Sequence, residues 1–155
     1  FARPGCPHGP AMKNRFIAAP LTNTRSHADG TRSDEEFHWR TMRAKGGFGL
    51  TMTCASHVQK IGQGFPGQLG VFSDDHLLGL TRLAAAIKAA GSVAVLQLHH
   101  AGNRSPGELI GEAPVCPSDD PETGARALSE AEVADLIQAF IAGAERSTRA
   151  GLHGA

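Results

Sequence analysis

Three stretches of helical periodicity, each opened by a capping signal and closed by glycine, alternate in this chain with short, unbroken apolar runs. The helix signals begin at Ser33-Asp34-Glu35-Glu36, at Ser73-Asp74-Asp75 and at Ser129 through Glu132. In the first and third, a serine can accept from an early backbone N–H while a glutamate three residues on reaches back, the capping-box arrangement. In the second, two acids favour the positive end of the helix dipole. Phe37, Thr41 and Ala44 share a face of the first helix, and Leu77, Leu80, Leu83, Ala84 and Ile87 form the stripe of the second. Val133, Leu136, Ile137, Phe140, Ile141 and Ala144 are expected to make one face of the third. Gly46-Gly47, Gly91 and Gly151 end the three patterns.

The runs between them, Phe16 to Leu21, Phe48 to Ala55 and Val93 to Leu98, have strand length, and Leu152 stands where a fourth would begin. Val93-Ala94-Val95-Leu96 does not alternate with polar residues, as expected for a parallel strand buried on both faces. Strands alternating with helices imply βαβ crossovers and a parallel sheet, so the fold class is α/β.

A length of 155 residues suits one ordinary domain, and 41% hydrophobic with 19% charged residues places the chain among globular proteins. Fifteen Lys+Arg balance fifteen Asp+Glu, so no global field draws in nucleic acid or an anionic membrane. Cys6, Cys54 and Cys116 are scattered without a CxxC spacing, which suits a reducing cytoplasm and supplies neither a disulfide framework nor a zinc site. Cys54, in an apolar run, reads as a small buried hydrophobe. No stretch is apolar and long enough to span a membrane, and the first residue is Phe1 rather than Met, which leads to the expectation of a chain cut from something longer.

Parallel sheets carry their sites at the carboxyl ends of the strands, whether open or closed into a barrel. The first strand runs into Pro20-Leu21-Thr22-Asn23-Thr24-Arg25, without glycines to cradle a phosphate, which disfavours an open nucleotide-binding sheet. Gly62, Gly64, Gly67 and Gly70 follow the second strand and read as a flexible loop, and the Pro- and Gly-rich connection from Asn103 to Leu128 suits a functional loop at a barrel mouth.

Gln97 interrupts an apolar strand. Its carboxamide can donate and accept at once, which suits a heteroaromatic edge, and a Gln bonded to a neighbouring strand is an equal reading. His99 and His100 are consecutive and point to opposite faces of a strand, so a shared metal ion is disfavoured, and one of them is expected to orient a loop. His57 and His153 read as ordinary polar residues. Ser26, His27 and Asp29 crowd into one turn rather than a hydrolytic triad. Thr22 reads from its position alone as a turn-forming threonine.

Taken in order, Lys13-Asn14-Arg15 with Ala19-Pro20-Leu21-Thr22, Arg43-Ala44 with Gly49-Leu50, Gly67-Gln68-Leu69-Gly70 with Ser73-Asp74, Gln97-Leu98-His99-His100-Ala101-Gly102, Ala113-Pro114 with Pro117-Ser118, and Ala150-Gly151 run through almost the whole chain. Together they resemble the Old Yellow Enzyme family of NAD(P)H:flavin oxidoreductases. The resemblance implies the N-terminal portion, about three βα units, of an eight-stranded β/α (TIM-type) barrel that stops as its fourth strand begins. It implies FMN as cofactor and NAD(P)H as reductant. Ala19, Pro20, Leu21 and Thr22 match the segment along one side of the isoalloxazine, with Thr22 bonding near the C4 carbonyl and N5. Ala55 matches the small residue that lets the ring approach, and Gln97 the amide on its pyrimidine edge. Thr24 stands where some relatives contact substrate with an aromatic residue, and Asn103, followed by Arg104, replaces an arginine often found there.

The implied activity is reduction of the activated C=C bond of α,β-unsaturated carbonyl compounds, with a small-molecule substrate as partner. A homo-oligomeric parent stays open. The family's substrate-carbonyl pair lies on the fourth strand and its proton-donating tyrosine later. This chain contains no tyrosine, so no catalytic residue is assigned, and the isolated chain is expected to be inactive. Two alternatives stand beside this reading: a self-contained flavodoxin-like α/β binding module, and a barrel with other flavin chemistry, such as a dienoyl-CoA reductase or an amine dehydrogenase.

Overall fold

The computed structural model describes residues 9–155, and Cys6 lies outside them. Its centre is a parallel sheet of β1 (Ile17–Ala18), β2 (Leu50–His57) and β3 (Val93–His99) in the order β1-β2-β3. Helix α1 (Asp34–Lys45) connects the first pair and α2 (Leu77–Ala89) the second. A longer excursion after β3 holds α3 (Gly107–Ile110) and the short parallel pair β4 (Val115–Cys116) and β5 (Arg126–Ala127), before α4 (Glu130–Arg149) returns to the sheet. Beyond α4 the chain comes alongside β3: His153 N–H donates to the Ala94 carbonyl at 2.8 Å, and Leu96 N–H to the Gly154 carbonyl at 3.0 Å. The position of a fourth parallel strand is thus already set. Strands that follow one another in space as they do in sequence wind as a barrel does. A flavodoxin-like sheet would reverse direction at a 2-1-3 switch point, and this one does not.

The helices cover one face of the sheet. Leu80, Leu83, Ala84 and Ile87 of α2, Ala44 of α1 and Ala94 and Leu96 of β3 share one buried cluster with Leu69, Val71 and Leu152. Val95 and Gln97 alternate with these residues and lie on the opposite, inner side of the strand.

Several expectations need adjustment. The first strand is two residues long rather than six, because Pro20 has no N–H to give and the chain leaves the ladder at Ala19. Ser33 does accept from Glu36 N–H at 3.1 Å, but the Glu36 carboxylate does not complete a capping box and instead turns into the interior. In α4 the box is complete, and Arg126 lies 2.6 Å from Glu132. That guanidinium, then the Ser129 backbone and hydroxyl, hold the Glu132 carboxyl down at about 2.

The apolar face expected for α4 is split. Leu136 and Phe140 lean on the core, while Val133, Ile137 and Ile141 face solvent. Close approach is made by small residues instead: a Cβ on Gly143 would lie 3.0 Å from Leu98 Cδ2 and 3.2 Å from Val58 Cγ1. Finally, the glycine-bearing loop after β2 is tied down rather than flexible. His57 N–H bonds Leu69 O, Val71 N–H bonds His57 O, and Gly70 N–H bonds Gly30 O at 2.8 Å.

Candidate flavin-facing site

Ala19 to Thr22 follow the carboxyl end of β1, and Ala55 and Gln97 stand near the carboxyl ends of the neighbouring β2 and β3. Ala55 is the direct register partner of Gln97. The register shifts between Met52 and Ala55, where β2 holds one residue more than β3. Such a bulge re-aims the strand end and costs the partner a ladder bond. Here the Thr53 hydroxyl replaces it by accepting from Gln97 N–H at 3.1 Å, so Gln97's backbone is satisfied. The Gln97 carboxamide and the Thr22 hydroxyl make no hydrogen bond among the described residues; Thr22 is exposed and Gln97 half-buried. Neither polar group is spent on the fold. Ala55, beside Gln97 in the register, has only a methyl group to fill the space.

The residues beside this surface are strongly held. Glu36 and Arg40 on α1 are 0% and 1% exposed and form an ion pair at 2.8 Å. Arg40 also donates to the Leu21 carbonyl at 2.7 Å and to the Met52 carbonyl at 3.2 Å, and the Asn23 amide donates to Glu36. A buried pair of this kind is costly to break from one side, roughly 3–5 kcal/mol. The Cys54 thiol lies 3.9 Å from Glu36, and burial, helped by that carboxylate, pushes its pKa up, which makes it an inert core group.

On the other flank, fully buried Gln68 donates to the Ala55 carbonyl and to His99 Nδ1, each at 3.0 Å, and accepts from Gly64 N–H at 2.7 Å. His99 therefore does orient a loop, as expected of one of the two histidines. His100 does so as well, accepting from Gly102 N–H at 3.1 Å.

Thr24 is exposed and, among the described residues, the only non-glycine at positive φ, 52°. It is kept there by Gly67, where a Cβ would lie 2.4 Å from the Thr24 carbonyl oxygen. The Ser26–Asp29 stretch is a turn closed by Asp29, which accepts from Thr31 N–H at 2.8 Å. Asn103 donates to Asp120 at 3.1 Å, anchoring the excursion after β3.

His57 is not an ordinary polar residue. It is 2% exposed, its ring is 4.9 Å from Phe72, and burial lowers its pKa to about 4. It lines a cavity of about 400 Å³ with Asp29, Lys60, Phe72 and His76. His153, the other histidine read that way, accepts from Ala94 N–H at 3.0 Å and so helps seat the fourth strand position.

From sequence Glu36 was expected in a capping box and Gln68 only as part of a family motif, while Arg40 was not singled out. The i, i+4 spacing of Glu36 and Arg40 is that of a helix-surface pair, and the depth of α1 against β2 makes it internal. The donor set does fit a flavin: a hydroxyl and a carboxamide that make no hydrogen bond among the described residues, and a small residue, stand toward the carboxyl ends of adjacent strands, where sites of such sheets form.

Fold and site together define the N-terminal part of a parallel β/α barrel of the flavin oxidoreductase class. The comparisons place it more closely. The family described as NADH:flavin oxidoreductase / NADH oxidase matches residues 9–155, and the chain belongs to this family. A probable NADH-dependent flavin oxidoreductase, YqiG, of Bacillus subtilis (strain 168) is 39% identical over 150 residues, covering 94% of this chain and 40% of that protein. An NADPH dehydrogenase of Halalkalibacterium halodurans is 36% identical over 155 residues, covering 95% of this chain and 45% of its own. The solved structure of the old yellow enzyme homologue from Zymomonas mobilis superposes with a TM-score of 0.82 at 27% identity, covering 92% of this chain and 43% of that one. The chain thus spans less than half the length of these relatives, and it corresponds to the N-terminal portion of their barrel. The flavodoxin-like alternative is set aside.

Proposed function

We propose that this chain is the N-terminal part of an FMN-dependent NAD(P)H oxidoreductase that reduces the activated C=C bond of α,β-unsaturated carbonyl compounds. The observation that supports the reading is the pair of polar side chains, Thr22 and Gln97, that make no hydrogen bond among the described residues and follow neighbouring strand ends, with small Ala55 beside Gln97. Bound FMN supplies two-electron hydride chemistry between a nicotinamide and an activated alkene. The chain's own residues bind and orient it. The Gln97 carboxamide would hold the heteroaromatic edge of the flavin, Ala55 would leave room for the ring, and Ala19, Pro20 and Leu21 would line it. The Thr22 hydroxyl would donate to the flavin and favour its reduced form. Thr24 would be a substrate contact. These 155 residues contain no tyrosine to deliver the proton, and the expectation is that the chain alone is inactive.

Anaerobic addition of NADH or NADPH to the full-length protein should bleach its visible absorption. A stoichiometric amount of 2-cyclohexenone should then restore it and yield the saturated ketone. Flavin that is reoxidised by dioxygen but by no activated alkene would contradict the substrate class.

A further inference from the structure

We propose that Glu36 and Arg40 are a positioning pair for the flavin-facing segment, setting the aim of the Thr22 hydroxyl through both of its chain neighbours; this rests on the flavin reading above. The register of β1 with β2 ends at Ala18↔Thr51, so residues 19–25 run past β2 without the pairing that fixes Ala55 and Gln97. Among the described residues, the next backbone–backbone bond outside the strand pairings is Ser26 N–H to Gly67 O at 3.0 Å. Between those two points the polar anchors to the rest of the fold are side chains. Arg40 Nη2 holds the Leu21 carbonyl at 2.7 Å, Glu36 holds the Asn23 amide, the Ser33 hydroxyl donates to the Arg25 carbonyl, and exposed Arg25 meets Glu35 at 3.0 Å. Thr22 lies between the two buried attachments.

The same guanidinium reaches the Met52 carbonyl at 3.2 Å, at the edge of the bulge that leads to Ala55. One planar fork therefore ties the first-strand segment to the second strand, in place of a ladder that Pro20 cannot continue. Glu36 holds the fork through Nε at 2.8 Å. A hydroxyl aimed at developing charge is effective only when its supporting shell keeps it within about 0.5 Å. Glu36 has one further polar neighbour, the buried Cys54 thiol at 3.9 Å, which is a weak donor.

The test is the midpoint potential of FMN in the full-length holoprotein, measured for Arg40→Lys, Asn23→Ala and Thr22→Ala, and for each of the first two combined with Thr22→Ala. A lysine keeps the charge opposite Glu36 but cannot fork to two carbonyls. Asn23→Ala removes one contact to Glu36 and serves if Arg40→Lys fails to fold. If the pair acts through Thr22, each single variant weakens the preference for reduced flavin. For Arg40→Lys the expected loss is about tenfold, a potential lower by about 30 mV. Each double variant should then match Thr22→Ala alone. Effects that add to that of Thr22→Ala, or an unchanged potential in both Arg40→Lys and Asn23→Ala, would overturn the proposal while leaving the flavin reading intact. A wild type that binds no flavin would overturn the reading itself.

Discussion

Thr22 and Gln97 are informative because nothing in the fold uses their side chains, and a polar group at a strand end that bonds nothing internal is available to a ligand. A hydrogen bond to a group that becomes charged is worth roughly 1.5–3 kcal/mol. For a two-electron couple this corresponds to about 30–60 mV, so Thr22→Ala in the full-length protein should lower the flavin potential by that amount. Spectroelectrochemistry checks it, and an unchanged potential would remove Thr22 from the site.

His57 supports a second expectation at this scale. Its folded pKa lies at about 4, below the ordinary 6.5, because burial disfavours the charged ring. The unfolded chain takes up the proton first as pH falls. The contribution of His57 to stability is therefore complete above about 6.5 and declines between 6.5 and 4, by up to about 3 kcal/mol. Below 4 it changes no further. Denaturant titrations of wild type and His57→Phe across this window should show a steeper acid loss in the wild type. Parallel profiles would contradict the assignment. At this scale the sequence named Thr22 and Gln97 for the site only through the family resemblance, since position alone made Thr22 a turn residue. The roles of Glu36, Arg40 and Gln68 depend on burial that no local pattern encodes.

Helix starts and stops were legible because they are local: Ser33, Ser129 and the terminal glycines act within one turn. Losing the Ser129 hydroxyl should cost about 1 kcal/mol, measured as a shift in the unfolding midpoint of Ser129→Ala. Strand extent was less legible, since ladder pairing depends on a partner, and the pairing of β1 stops at Ala18 although its apolar run continues. The glycine-bearing loop was misread for a related reason. Glycine permits close contact as well as mobility, and Gly67 combines a φ of 71° with backbone contact to Thr24. Gly67→Ala should cost about 1–3 kcal/mol from overpacking alone and release Thr24 from its left-handed conformation. Thermal unfolding beside the control Gly124→Ala tests this, because Gly124 has positive φ but nothing within 4 Å of its Cβ position. Equal losses in the two variants would show that contact with Thr24 is not what sets the loop.

The parallel α/β sheet could be inferred from the order of capped helices and apolar runs and the barrel only from the family resemblance, and the winding β1-β2-β3 with Gly154 beside Val95 agrees with both. Among the described residues, the same winding leaves apolar side chains exposed beside this sheet. Phe16, Ile17 and Leu21 are 45%, 51% and 57% exposed, and Val133, Ile137 and Ile141 form an exposed row on α4. An unpaired sheet edge beside uncovered apolar surface favours association. Residues 1–155 expressed alone should therefore elute from size exclusion as oligomers or aggregate, and should not retain FMN. A monodisperse monomer that holds FMN would contradict this. The central claim, that the strand ends around Ala55 form a flavin cradle, is tested most directly by the visible spectrum of the purified full-length protein, with the released cofactor identified after denaturation. The account predicts a yellow protein carrying FMN in about one-to-one ratio, and a Gln97→Ala variant that binds it more weakly. A protein that stays colourless after incubation with FMN would contradict it.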